Sequence, residues 1–297
     1  MRAITLYVAL WALLSGSSQA LAEVRGEATL AAMQPPVWLE QDGRMTPLRP
    51  GDSFGQGAEL VTGPGARARL NLPDGGVVRL GERARFALDQ LEMQSADEGL
   101  VTAATRVLRG AFRYTTGLLE REREREVTVE VGVYTAGIRG TDIWGRSREA
   151  DGDLMALLDG EIEVFIAGQD APLRPEPLTF LSRAPGTEAG RDPQPIDMDT
   201  LGEWAAETDL HPHQGVMEPA APWTLVLMSV RDRSVAEATA EGLREAGYAV
   251  AVSGAQVHGR NWHRVILPDF VSSRDAAHIG EQLDGRLDVE GPWVKRD

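Results

Sequence analysis

Hydrophobic and polar positions alternate with two different periods along this chain, and the change of period divides it. Between residues 23 and 168 the period is two. Ala68, Leu70 and Leu72 interleave with Arg67, Arg69 and Asn71, so one face is buried and the other wet. Val78 with Leu80, and Phe86 with Leu88, continue the pattern. Val127, Val129, Val131 and Val133 alternate with Thr128, Glu130 and Gly132. Residues 156–166 read as a strand pair or as one strand bent around Asp159 and Gly160. Turn signals recur at short spacing, as in Asp42-Gly43, Pro50-Gly51-Asp52, Pro64-Gly65 and Asp74-Gly75-Gly76. Many short strands with Gly-rich turns predict an all-β unit, a sandwich, barrel or short solenoid.

From residue 223 onward the periods mix. Leu225 and Leu227 alternate with Thr224, Val226 and Met228 in a first strand. Ser234-x-x-Glu237 opens a helix ending at Gly247, with Ala236, Ala240 and Leu243 on one face. Residues 249–252 form a second strand, and Gly259 turns the chain into a third at 262–267. Ser272-x-x-Asp275 opens another helix, whose Ala276, Ile279, Gly280 and Leu283 share a face at i, i+3, i+4, i+7. Residues 287–294 close the unit. The order β-α-β-β-α-β predicts a ferredoxin-like arrangement, with both helices on one sheet face and the other face open. Trp262 and Arg264 are two apart in a strand and project to the open face, while His263, Val265 and Leu267 turn toward the helices.

The segment between, 169–222, is dense in proline and reads as a linker. One patch interrupts it. Thr200-x-x-Glu203 reads as a capping box, and Leu201, Trp204 and Ala205 fall on one side of a short helix near 200–207 that docks on the β unit. At the N-terminus, an apolar run over 4–14 precedes a small-residue stretch ending Ala20-Leu21-Ala22. That run is too short to span a bilayer, and the A-x-A signature predicts a signal peptide over 1–22 cleaved before Glu23. A retained anchor is the alternative. No second long apolar run occurs, so the mature chain is expected to be soluble.

Composition narrows the partners. The formal charge is −15, from 30 basic and 45 acidic residues, and losing Arg2 with the signal makes it roughly −16. Nucleic acid phosphates and anionic lipid headgroups repel such a chain. Lys295 is the only lysine, and there is no cysteine, which excludes disulfides, thiol catalysis and a lipidated cysteine. The run ERERERE at 120–126 reads as a solvated hairpin tip or edge strand, where charge blocks edge pairing. His211 and His213 sit at i, i+2 in the proline-rich segment without a third ligand at telling spacing, so no metal site is predicted. No G-x-S-x-G, H-E-x-x-H or P-loop occurs, and no catalytic residue or cofactor is assigned.

Residues 223–297 resemble a SPOR domain. The resemblance rests on the element order, the opening WTLVLMSV, the strand NWHRVILPDF and the terminal PWVKR. Trp262 and Arg264 match the family's aromatic-x-Arg-Val strand, and Ser229 matches its serine. Val226 stands where the family carries Gln, Met228 where it carries Gly, and Val230 where it carries Phe. The resemblance implies binding of peptidoglycan, in particular glycan strands stripped of stem peptides, on the open sheet face. The implied site residues are Val226, Ser229, Trp262, Arg264 and Trp293. A flat aromatic beside a guanidinium suits a sugar ring plus a carboxylate or N-acetyl oxygen.

Residues 23–168 resemble a FecR-type periplasmic β domain. The matching pieces, in family order, are LRPGDSFGQGAELVTGPGARARLNLPDGGVVRL, VLRGAFRY, YTAGIRGTDIWG and ALLDGEIEV. Ile138-Arg139-Gly140-Thr141 is the most specific element. Here Gly140 is expected to permit a bulge and Arg139 to pair with a carboxylate. Signalling members of the family carry a cytoplasmic region and a membrane span, and neither is read in this sequence.

The combined expectation is a multidomain, non-enzymatic, exported periplasmic protein. An all-β FecR-like unit, a short β-solenoid or sandwich, precedes a ferredoxin-like SPOR unit. The SPOR unit binds denuded glycan strands, with septal localisation tied to cell division, and the β unit engages an envelope protein. The alternatives are a cell-wall hydrolase or hydrolase activator, and a FecR-type signalling protein.

Overall fold

The computed structural model describes residues 24–73, 75–93, 101–117 and 125–297, without the side chains of 24, 25, 93, 101, 125, 126 and 139. The expected signal peptide at 1–22 lies outside the described residues. So do residues 120–124 of the ERERERE run, the side chains at 125 and 126, and the side chain of Arg139.

The described chain is mostly β, in two domains, with three helices. The first strands are β1 (Val24–Arg25), β2 (Ala28–Gln34), β3 (Val37–Gln41), β4 (Arg44–Pro47), β5 (Ser53–Phe54), β6 (Ala58–Thr62), β7 (Arg67–Asn71), β8 (Val77–Leu80) and β9 (Arg85–Met93). Longer ones follow: β10 (Val101–Thr115), β11 (Arg125–Val131), β12 (Tyr134–Arg148) and β13 (Gly152–Ile166). Then come β14 (Thr179–Arg183), β15 (Gln194–Pro195) and α1 (Met198–Thr208). The C-terminal unit is β16 (Trp223–Val230), α2 (Arg233–Glu245), β17 (Ala251–Val257), β18 (Arg260–Phe270), α3 (Ser273–Leu283) and β19 (Trp293–Arg296).

Strands β1 to β15 join in one hydrogen-bonded network, in which β10 and β11 are parallel. Its long strands turn corners by changing partners. Residues 101–109 of β10 pair with β9, and residues 110–115 pair with β12. The change falls at Gly110, whose φ of +87° is open to glycine and where a Cβ would lie 2.5 Å from the Ala84 Cα. Strand β12 bends in the same way. Its register with β13 shifts between Arg139 and Ile143, beside Gly140 (φ +69°) and Gly160 (φ +91°). The Ile138-Arg139-Gly140-Thr141 element is therefore a bulge, and residues 152–166 are one bent strand rather than a pair.

The C-terminal sheet has the order β17-β18-β16-β19. Ala236, Ala240 and Leu243 of α2, and Ala276, Ile279 and Leu283 of α3, are buried against Val265 and Leu267. Two helix starts differ from the sequence expectation. Asp197 rather than Thr200 caps α1, and Asp232 rather than Ser234 caps α2. In each case a carboxylate upstream accepts the N–H of the expected cap, because an anion at a helix N-terminus is a stronger acceptor than a hydroxyl. Ser272 caps α3 as expected, accepting the Asp275 N–H.

Residues 169–222 do not form a free tether. Proline excludes long strands there, but short pairings hold the segment down. Leu173 exchanges two backbone hydrogen bonds with Val164, and β14 and β15 extend the sheet beyond β13. Helix α1 lies on the β unit. Met217 exchanges hydrogen bonds with Met33 of β2 and bridges to Phe270 of β18. One apolar core runs from Leu30 and Met33 through Met217 into Phe270, Leu225 and Ile279.

Candidate functional site

The exposed face of the C-terminal sheet is organised by an irregularity in β16. Val226 pairs with Ile266 and Met228 with Val265, so a bulge absorbs Leu227. The bulge shifts the alternation by one and brings Val226 and Ser229 to the same face. Ser229 is directly opposite Arg264, which is opposite Ser253 on β17. Val226 is directly opposite Trp293 on β19. The face away from the helices therefore collects Val226, Ser229, Trp262, Arg264 and Trp293.

Their exposures differ. The Arg264 guanidinium lies 5.2 Å from the Trp293 ring centroid, a contact that must cross β16 because β16 separates the two strands. Val226 is fully buried beneath this bridge, whereas Trp293 is 42% exposed. Val226 thus supports the platform and offers no surface to a ligand. The sequence names Val226 as a site residue through the SPOR resemblance, at the position where the family carries Gln.

A second pair lies at the other end of the face. Arg231, just past β16, sits 5.4 Å from the Trp262 ring centroid. Sequence reading missed Arg231. The signal for it is its i, i+2 spacing from Ser229 at the strand end. The ion pairs of this unit are Arg233–Glu237, Arg244–Glu241 and Lys295–Asp297, which leave Arg231 and Arg264 without a carboxylate among the described residues. A third pair, Arg296 over Trp223 at 5.9 Å, belongs to the opposite side of the sheet, in line with Leu225 and Val294.

The helix side of the unit is turned toward the β unit. Gly247, at the end of α2, has φ +90°, and a Cβ there would meet the Trp38 ring at 2.3 Å. The buried Asp275 carboxylate accepts the backbone N–H groups of Gly215 at 3.1 Å and Val216 at 2.9 Å. Gln34, also buried, donates to the Gln214 carbonyl at 2.8 Å and accepts the His211 N–H at 2.9 Å. The β unit and the connecting segment therefore meet this unit at the end of α2 and the start of α3, on the side away from the Arg–Trp face.

In the β unit, Trp204 of α1 stacks on Trp144 of β12, ring centroids 4.7 Å apart and planes 4° apart, with Phe180 edge-on at 5.6 Å. Glu207 accepts from Arg146 at 2.7 Å and Arg148 at 2.8 Å. Elsewhere a groove of about 990 Å³ is bordered by Thr128, Glu161, Glu163, Arg174 and Glu176, with Arg174 paired to Glu163. Burial, with the Asp153 carboxylate nearby, pushes the Tyr134 hydroxyl up to about 12, so it stays neutral. Among the described residues no three His, Asp or Glu side chains are grouped to hold a metal ion. His211 serves the backbone, its ring nitrogen contacting the Ala206 carbonyl at 2.9 Å.

Two family models match the chain. The FecR protein model matches residues 58–163, and the SPOR domain model matches residues 219–296. The chain carries a FecR domain followed by a SPOR domain. No curated protein matches it. Two crystal structures of a candidate anti-sigma factor from Parabacteroides distasonis are similar in part. The first is 14% identical, with a TM-score of 0.39, and the match covers 49% of this chain and 63% of that one, less than two thirds of its length. The second is 13% identical, also with a TM-score of 0.39, covering 68% of this chain and 96% of that one. The SPOR model includes the whole Arg–Trp face, and the FecR model includes the Ile138-Arg139-Gly140-Thr141 bulge. No helix among the described residues is long and apolar enough to cross a membrane.

Proposed function

We propose that this protein is an exported, non-enzymatic envelope protein that binds denuded peptidoglycan glycan strands on the open face of its SPOR sheet. Ser229, Trp262, Arg264 and Trp293 make the contacts, and Val226 holds them up from below. The FecR domain presents its β surface to an envelope protein, at the division site. Working boundaries are 1–22 for the signal, 23–168 for the FecR-like unit, 169–222 for the connecting segment and 223–297 for the SPOR unit.

The observation that carries this reading is the pair of arginine-capped tryptophans on a sheet face that no element among the described residues covers. Aromatic rings and fixed guanidinium donors together recognise the apolar faces and the oxygens of a sugar chain. The strand order β17-β18-β16-β19, with both helices on one side, supports the ferredoxin-like reading of the unit. Alternating burial in β2, β6, β7 and β8 supports a sandwich-like packing for the β unit.

The test is co-sedimentation of the mature chain with intact and amidase-treated sacculi. Retention only on treated sacculi, without release of soluble fragments, supports the reading. Equal retention on both, or none, overturns it, and release of fragments makes the protein a hydrolase instead.

A further inference from the structure

The charge on the SPOR face is opposite to the charge of the chain. The protein carries −15 overall, yet the open face presents Arg231 and Arg264 with no compensating carboxylate among the described residues. Each guanidinium is held against a tryptophan. The ring contact restrains each guanidinium, and because the Arg264 Nε–H is buried without a partner, it is the terminal Nη groups that can receive a carboxylate with two hydrogen bonds. One ring surface of Trp262 and of Trp293 is thereby already occupied.

We propose that Arg231 and Arg264 read negative charge on the glycan, namely the muramic acid carboxylates, and this rests on the glycan reading above. In a strand bearing stem peptides, each lactyl carboxyl is tied up as a neutral amide. Hydrolysis of that amide adds water across the C–N bond and leaves a free carboxylate on the sugar and an amine on the departing peptide. Stripping therefore converts an uncharged sugar backbone into one with an anion on every muramic acid. The two platforms are spaced for a polymer. Trp262 and Trp293 are two strands apart and about four residues offset, a separation of roughly 16 Å on strand geometry. That exceeds one sugar ring, so each arginine meets a different sugar of the same strand.

Three probes test this with the full mature chain: amidase-stripped glycan strands, the same strands with their carboxylates converted to methylamides, and chitohexaose, which is neutral throughout. Stripped strands are expected to bind about tenfold or more tighter than methylamidated strands, with the difference shrinking in high salt. Arg231→Gln and Arg264→Gln are each expected to narrow the ratio between stripped-strand and methylamidated-strand affinity by a similar factor. Because methylamidation alters only the ligand, a folding defect in either variant does not confuse the result. Equal binding of stripped and methylamidated strands overturns the charge readout and leaves the glycan reading standing. Tight binding of chitohexaose also overturns the charge readout. Failure to bind any of the three overturns the glycan reading itself.

Discussion

The Asp275 carboxylate accepts the Val216 backbone N–H at 2.9 Å, across the joint between the two domains. The same side chain accepts the Gly215 N–H and closes the first turn of α3 with Ser272. Asp275 is 1% exposed, so these donors have no water to turn to if it is removed. Asp275→Ala is expected to cost about 2–4 kcal/mol, from two orphaned N–H groups and the lost hydrogen bond from the Ser272 hydroxyl. The checks are the urea midpoint and limited proteolysis of residues 209–222. An unchanged cleavage rate would show that the joint is held elsewhere.

Trp204 fastens α1 to the β unit by stacking on Trp144. Trp204→Ala is expected to cost about 3–5 kcal/mol by leaving a cavity above Trp144. Hydrogen exchange should rise over 198–208, while sacculus binding stays unchanged because the Arg–Trp face lies on the other domain. A loss of sacculus binding with α1 still protected would contradict this division of labour.

Val226→Gln restores the amide that the SPOR resemblance leads one to look for. Val226 is fully buried, so the added amide has to be desolvated or has to push aside the Arg264–Trp293 bridge. The substitution is expected to destabilise by about 1–3 kcal/mol without strengthening glycan binding. Thermal unfolding and co-sedimentation measure the two effects separately, and a tighter, equally stable variant would refute the role of Val226 as a support.

Acid should loosen the start of α2. Hydrogen bonds from Ser234, first its side chain and then its backbone, hold Asp232 below the ordinary carboxylate value of 3.8. A carboxylate with a lowered folded-state pKa adds stability that is fully present above its unfolded value. That stability is lost as the pH falls through the folded one. Urea midpoints should therefore drop below about pH 4, and Asp232→Asn should flatten that part of the profile. Identical slopes for the two proteins would exclude the contribution.

Local patterns determined much of this protein. Alternation at period two marked the β unit, the i, i+3, i+4, i+7 spacing marked α3, and the motif strings carried the FecR and SPOR resemblances. The Trp262–Arg264 spacing put both on the face away from Val265 and Leu267, because side-chain direction in a strand follows from the backbone alone. Other features depended on partners distant in sequence. The bulge at Leu227 exists only in the pairing of β16 with β18, so plain alternation could not tell that Val226 shares a face with Ser229 and lies beneath Arg264. Arg231 became a site candidate, and Trp293 gained its contact with Arg264, only when β18 and β19 flanked β16. Outside the short helix around Trp204, the proline-rich segment gave little periodic signal, since much of its order comes from short pairings and single hydrogen bonds to Val164, Met33 and Asp275. Sequence determined which faces are apolar. The tertiary structure decided which of them meet, because both helices pack on one face of the C-terminal sheet and leave the other face, with its two arginine-capped tryptophans, open.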